Sequence, residues 1–157
     1  MHPQRNLIEA AELIHLDEIS SVQKPSVYDY DKHDSNWNEF QQSDEYRQMK
    51  RDSFHPTKGP NMENIQKISD KHKEMHPMGF HVQTAHAELL SHEASPKYNA
   101  LTNKEKIDKR TDTMRDHYTD FLRTTRDHPV HGGLNPTENA DIFFNKVRSK
   151  LDRESDF

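Results

Sequence analysis

Three histidines at helix-compatible spacing form the clearest candidate for chemistry in this sequence. His72 and His76 stand four positions apart, and His81 follows five positions later. Residues four apart lie one above the other on a helix, so both imidazoles can approach one ion. Pro77 and Gly79 then predict a break that folds His81 back toward the pair. Three nitrogen ligands and one open position would describe a catalytic zinc site, so zinc or a similar divalent ion is the cofactor that this spacing indicates.

A metal-dependent hydrolase is the enzymatic hypothesis that follows from these histidines, with Asp70 or Glu74 near enough in sequence to assist. The metalloprotease signature His-Glu-x-x-His is incomplete, because His92-Glu93 is followed by Ala-Ser-Pro. His72 also falls on the apolar stripe of its predicted helix, where a hydrogen-bonded core histidine is equally compatible with the pattern. The ligand and core interpretations of His72 both stay open.

A second candidate site lies in the segment His-Pro-Val-His-Gly-Gly, which precedes the last predicted helix. The backbone amides of a Gly-Gly turn beside a helix N-terminus can hold an anion, and protonated imidazoles would add attraction. The candidate anion-binding residues are His128, His131, Gly132 and Gly133. An ordinary turn between two helices explains the same residues, because proline and glycine are common at such positions.

Aromatic residues are concentrated among acidic ones before position 50 and suggest an interface. Aromatic anchors dominate the binding energy of many protein interfaces. The candidate interface residues are Tyr28, Tyr30, Trp37 and Phe40. The alternative is local packing of these rings beneath a long loop.

Histidine makes the charge of the chain depend strongly on pH. Twelve of the 157 residues are histidine, and the formal net charge is −5 when all are neutral. Protonating all of them would bring the charge to about +7 near pH 5, given an ordinary histidine pKa of about 6.5. A partner recognised through long-range charge should then bind in a pH-dependent way.

Composition narrows the class of protein and of partner. The chain has no cysteine, which excludes disulfides, thiol nucleophiles and cysteine-bound metal centres. No apolar stretch is long enough to span a membrane and no signal peptide is evident, so we expect a cytoplasmic location and no membrane insertion. The mild acidity argues against nucleic acid as a partner. We expect another protein as the partner, and a homo-oligomer is compatible with the sequence.

Helical patterns run along the whole chain. Apolar residues recur at steps of three and four, and Thr102-Asn-Lys-Glu105 forms a capping box at the start of one helix. Asn135-Pro136 begins the last helix, because asparagine is a preferred cap and proline suits the first turn. No strand pattern competes with these helices. The predicted helices cover about 5–20, 36–53, 61–76, 82–94, 102–125 and the residues from 135 onward.

The sequence therefore predicts an all-α protein, a compact bundle of five to six helices with an irregular N-terminal third. We expect one domain over 1–157, partly irregular over 1–60 and with its helical core over 61–155. The leading functional hypothesis is a soluble helical protein-interaction module that responds to pH through its histidines. The alternative is the zinc-type hydrolase built on His72, His76 and His81.

Overall fold

The computed structural model describes residues 26–155, which fold into helices joined by short connections. The helix predicted over 5–20 lies outside the described residues. Seven helices and one two-stranded ladder are present in the described part, which confirms the all-α prediction. They are α1 (Tyr30–Gln41), α2 (Asp44–Ser53), β1 (Phe54–His55), β2 (Gly59–Pro60), α3 (Met62–Met75), α4 (Pro77–Glu93), α5 (Pro96–Asn99), α6 (Asn103–Thr125) and α7 (Pro136–Ser155).

Two helices, α1 and α2, occupy the region for which the sequence predicted one helix over 36–53. Helix α1 begins at Tyr30 because the Asp29 carboxylate accepts a hydrogen bond from the Lys32 amide at 3.2 Å. Ser43 separates α1 from α2, and its hydroxyl accepts from the Tyr46 amide at 3.2 Å. Local capping by aspartate and serine therefore sets helix boundaries that apolar periodicity does not reveal.

The junction between α3 and α4 is tighter than predicted. His76 ends α3 and also caps α4, whose first residue is Pro77. Proline was expected to open a loop here, but it is favoured at the first position of a helix, where its missing amide proton costs nothing. His81 consequently lies within α4 and does not fold back toward His76.

The later helix starts agree with the sequence. Thr102 and Glu105 form the predicted capping box, with the Glu105 carboxylate accepting from the Thr102 amide at 3.0 Å. The Asn135 side chain accepts from the Thr137 and Glu138 amides at the start of α7. The ladder of β1 and β2 was not predicted, since its strands are only two residues long and pair Phe54 with Pro60.

The core lies between α4, α6 and α7. Fully buried side chains from these three helices pack against one another, and Tyr28 belongs to the same buried cluster. The members with no exposed surface are Met78, Val82, Ala85, Phe121, Phe143 and Val147. None of the helices within residues 26–155 is long and apolar enough to cross a membrane.

Candidate functional site

Asn139, on α7, fixes the chain segment that precedes α1. This fully buried side chain accepts a hydrogen bond from the Tyr28 amide at 2.6 Å. Its amide group donates to the carbonyl oxygens of Ser26 at 3.0 Å and Asn135 at 2.6 Å. Ser26 also donates its amide proton to the Gly133 carbonyl at 3.0 Å. These bonds hold Tyr28 at the end of the core, facing the α3–α4 junction.

The Tyr28 hydroxyl lies 2.9 Å from Nδ1 of His76. The same nitrogen faces the Gly79 amide at 3.4 Å, as expected of a residue that caps α4. Burial raises the pKa of Tyr28 well above its ordinary value, so its hydroxyl stays protonated and available as a donor. Because Nδ1 accepts hydrogen bonds, the neutral His76 ring carries its proton on Nε2.

His76 Nε2 lies 3.4 Å from Oδ1 of Asp34, and the His76 side chain is almost fully buried. The pair is close enough for an electrostatic interaction but lacks hydrogen-bond geometry, so Nε2 has no hydrogen-bond partner among the described residues. A buried donor without a partner is uncommon, because its desolvation is not offset. His76 is therefore the polar group in this part of the molecule that the fold itself leaves unsatisfied.

Further imidazoles pack around His76 and come from separate parts of the chain. The centroids of the His33 and His131 rings are 4.7 Å apart, and the His72 and His33 rings lie 6.2 Å and 6.3 Å from the His76 ring. Tyr28 contacts His33 and His131 at 4.8 Å and 5.3 Å. We define these five residues, Tyr28, His33, His72, His76 and His131, as the His76 cluster. The cluster joins α1, the end of α3 and the loop before α7.

Burial keeps these imidazoles neutral. Burial and, after it, the positive charge that His72, His33, His131 and Lys146 would carry together lower the pKa of His76 to about 3. Burial and Lys150 lower the pKa of His72 to about 4. Burial and then repulsion from His33 and His128 lower the pKa of His131 to about 4. Burial also lowers the pKa of His33, whereas the negative charge of Asp29 raises it.

The three proposed metal ligands have different partners in the structure. His72 stacks on Trp37 with ring centroids 4.3 Å apart and planes at 9°. His76 faces Tyr28 and Asp34, whereas Nε2 of His81 lies 3.1 Å from the Thr124 hydroxyl on α6. Within residues 26–155 no group of three or more histidine, aspartate or glutamate side chains is arranged to hold a metal ion.

The proposed anion loop uses its own polar groups internally. Nδ1 of His128 accepts from the Val130 and His131 amides at 3.0 Å and 3.2 Å. The Gly132 amide donates to the His128 carbonyl at 2.8 Å, and Gly133 adopts a φ of 68° that favours glycine. The His131 ring turns inward to join the His76 cluster. The loop positions His131 for the cluster, and the turn interpretation accounts for its glycines.

The proposed aromatic interface is packed within the fold. Tyr28 and Trp37 are 3% and 6% exposed, and Tyr30 and Phe40 are partly buried. Trp37 contacts Phe40 as well as His72, with the Phe40 ring centroid at 5.6 Å. Contacts of these rings therefore help to attach α1 to α3.

A polar cleft that the sequence did not indicate adjoins the cluster. Its volume is about 200 Å³, and it lies where α1, the α3–α4 junction and α7 meet. Asp34, Asn38 and Gln41 line it from successive turns of α1. Gln83 on α4 and Lys150 on α7 also line it, beside His72 and His76. Only tertiary packing brings these helices together, so spacing along the chain gave no signal for it.

A second group of histidines links α4 to α6 at the surface. The two oxygens of Glu88 lie 3.0 Å and 3.2 Å from Nε2 of His117 and of His92. These two imidazoles, His117 first, lower the pKa of Glu88. Nδ1 of His117 lies 3.3 Å from the Thr84 hydroxyl, but that hydroxyl donates to the His81 carbonyl. Thr84 is therefore not oriented as an activated nucleophile.

Comparison with known proteins does not assign this chain to a family. No family model matches it, and neither the curated proteins nor the solved structures gave a significant match.

Proposed function

We propose that this chain is a helical protein-interaction module whose binding surface is controlled by mild acid through the His76 cluster. The observation that carries the proposal is the packing of four imidazoles, those of His33, His72, His76 and His131, in one partly or fully buried site. Histidine is the residue whose charge changes near physiological pH, and several of them together form the usual pH sensor.

The charges around the cluster make protonation unfavourable. Asp34 at 3.4 Å is the carboxylate that faces His76, while Lys146 on α7 and the neighbouring imidazoles repel a proton there. Lys150 repels a proton on His72 in the same way. A pKa lowered by one unit corresponds to about 1.4 kcal/mol that favours the neutral ring in the folded state. Acid therefore weakens the packing of the cluster.

Release of the cluster would open a defined surface. Tyr28 and His33 connect the start of α1 to His76 and His131, and Trp37 connects its middle to His72. Loss of these contacts frees α1 from the α3–α4 junction. The side chains then exposed include Trp37, Tyr28 and the Phe121 ring, whose centroid lies 5.6 Å from that of Tyr28. Large aromatic rings of this kind anchor protein interfaces, so another protein is the expected partner.

Hydrogen–deuterium exchange at about pH 7.5 and about pH 5.5 tests the acid response, after correction for the intrinsic pH dependence of exchange. We expect protection to fall more in α1 than in α6. Equal changes in both helices, or none, would contradict the proposal. A protein retained by the immobilised chain is then purified, and its affinity is measured at both pH values. Equal affinity at both, or no direct binding at either, would also contradict it.

A zinc-type hydrolase based on His72, His76 and His81 has less geometric support. The His81 ring is directed at Thr124, and Nδ1 of His76 is engaged by Tyr28. Metal binding through Nε2 of His81 would require its hydrogen bond with Thr124 to be exchanged for a coordination bond, and within residues 26–155 these histidines form no group that could hold a metal ion. Elemental analysis of protein purified without an affinity tag tests this second function directly.

A further inference from the structure

We propose that the polar cleft beside His76 binds a small zwitterion of amino-acid size, with its ammonium at Asp34 and its carboxylate at His76 Nε2 and Lys150. The site lies between α1, the α3–α4 junction and α7, and it shares Trp37 with the aromatic surface proposed for a partner protein. It would make the chain a receptor for a small metabolite as well as an interaction module.

The unsatisfied donor of His76 is the first support for this site. Its Nδ1 is engaged by Tyr28 and by the Gly79 amide, which leaves the ring proton on Nε2. Nε2 has no hydrogen-bond partner among the described residues, although the side chain is about 1% exposed. A ligand oxygen that accepts this proton would remove the desolvation penalty of an unpaired buried donor.

The charge distribution is the second support. Asp34 supplies a carboxylate 3.4 Å from the His76 donor, and its side chain is 44% exposed, so a ligand can reach it from solvent. Lys150 lines the same cleft and supplies a positive charge. The Asp34 carboxylate accepts hydrogen bonds and the His76 Nε2–H donates one, and the two groups are 3.4 Å apart. The ammonium and the carboxylate of an α-amino acid are joined through one carbon, so one ligand can contact both groups. A simple anion would be repelled by Asp34, and a simple cation by Lys150.

The size and the remaining lining agree with such a ligand. A volume of about 200 Å³ holds roughly seven groups of the size of water, each of which occupies about 30 Å³ in the liquid. The side-chain amides of Asn38, Gln41 and Gln83 can each donate and accept hydrogen bonds. They would contact a polar side chain, so a ligand with a short polar side chain fits better than one with a long apolar group.

Titration calorimetry with glycine, L-glutamine, L-glutamate and L-lysine tests the site, with acetate and methylamine as single-group probes. We expect at least one amino acid to bind with a Kd below about 1 mM and both single-group probes to bind at least about tenfold more weakly. The same ligand should shift the ¹⁵Nε2 resonance of His76. Failure of every amino acid to bind at about 10 mM would overturn the proposal.

Charge-neutralising variants separate this site from a general anion or cation site. Asp34→Asn and Lys150→Met should each weaken binding at least about tenfold. Asp108→Asn and Lys109→Met, exposed positions on α6, are the matched controls and should leave Kd unchanged. Acetate binding as tightly as the amino acid, with Asp34→Asn having no effect, would show an anion site and overturn the proposal. Loss of affinity in the controls would also overturn it.

Discussion

The imidazole of His76 lies directly over the Cα of Gly79. A β-carbon at Gly79 would lie 2.7 Å from Cγ of the ring and closer still to Cδ2 and Nε2. Gly79 has ordinary helical geometry, so it is the absence of a side chain, and not a special backbone conformation, that the site requires. The glycine thereby permits His76 to cap α4 and to face Asp34 at the same time.

Gly79→Ala should destabilise the protein by about 1–3 kcal/mol, the usual cost of forcing extra volume into a packed site. This result is diagnostic because alanine in an exposed helix interior normally stabilises by about 1 kcal/mol relative to glycine. Urea unfolding gives the free energy of unfolding. Ser91→Ala, at an exposed position of α4, controls for helix propensity and should change stability by less than about 0.5 kcal/mol. A stable Gly79→Ala protein would show that His76 is free to move.

Asn139→Ala tests the attachment of the segment that carries Tyr28. The substitution removes one buried and two partly buried hydrogen bonds and leaves the Tyr28 amide without its partner, whereas the Ser26 carbonyl still accepts from the Asn135 amide. A buried amide left unpaired costs about 1–3 kcal/mol and each of the other hydrogen bonds contributes about 1 kcal/mol, so we expect a loss of about 2–4 kcal/mol. Exchange of the Tyr28 amide should accelerate more than exchange within α6. Asn145→Ala, an exposed position on the same helix, should have neither effect.

The sequence predicted correctly those parts of the fold that depend on residues close together in the chain. The start of α6 was predicted correctly because its capping box spans only Thr102 to Glu105. The start of α4 was misplaced because proline and glycine have one meaning in a loop and another in the first turn of a helix. At Pro77 a helix forms because the His76 ring caps α4 and lies against Gly79.

The candidate site was predicted only in fragments. His72, His76 and His131 were singled out from their spacing, but as members of two separate sites. The contact that unites them involves Tyr28 and Asn139, which are 111 positions apart. Lys150 and Gln83 join the cleft in the same long-range way. Periodicity describes one element at a time, so it cannot show which faces of different helices meet.

The stability of the protein should fall steeply as the pH drops below about 6.5, the ordinary histidine pKa. The pKa values of His72, His81 and His131 are lowered to about 4 and that of His76 to about 3. A lowered pKa means that the unfolded chain binds more protons than the folded one, so stability is full above 6.5 and is lost toward pH 4. Each such imidazole contributes up to about 1.4 kcal/mol per pH unit in this window. Urea unfolding at several pH values measures the slope.

Two substitutions identify the residues responsible for this slope. His81→Gln preserves a polar partner for Thr124 but cannot be protonated, so the slope should decrease by about 1.4 kcal/mol per pH unit. His55→Gln, at an exposed position of the β1–β2 ladder, is the control that removes an imidazole outside the core. A wild-type protein with constant stability between about pH 7 and 5 would refute the role of buried histidines.

Glu88 offers a prediction of the same sign as the buried histidines but in a more acidic window, because its pKa is lowered by hydrogen bonds from His117 and His92. A carboxylate with a lowered pKa stabilises the fold above its unfolded pKa and loses this contribution as the pH falls through the folded value. Its side chain is 46% exposed, so water screens the interaction and Glu88→Gln should cost less than about 1 kcal/mol at neutral pH. High salt should reduce this cost further.

The comparison with Glu138 makes the Glu88 experiment specific. Glu138 is exposed in the first turn of α7 and contacts no histidine in the described structure, so Glu138→Gln should show no coupling to His117. A double-mutant cycle between Glu88→Gln and His117→Gln should give a coupling energy of about 0.3–1 kcal/mol at neutral pH. Zero coupling would mean that the 3.0 Å contact across α4 and α6 contributes no stability. A cycle of Glu138→Gln with the same partner supplies the reference value.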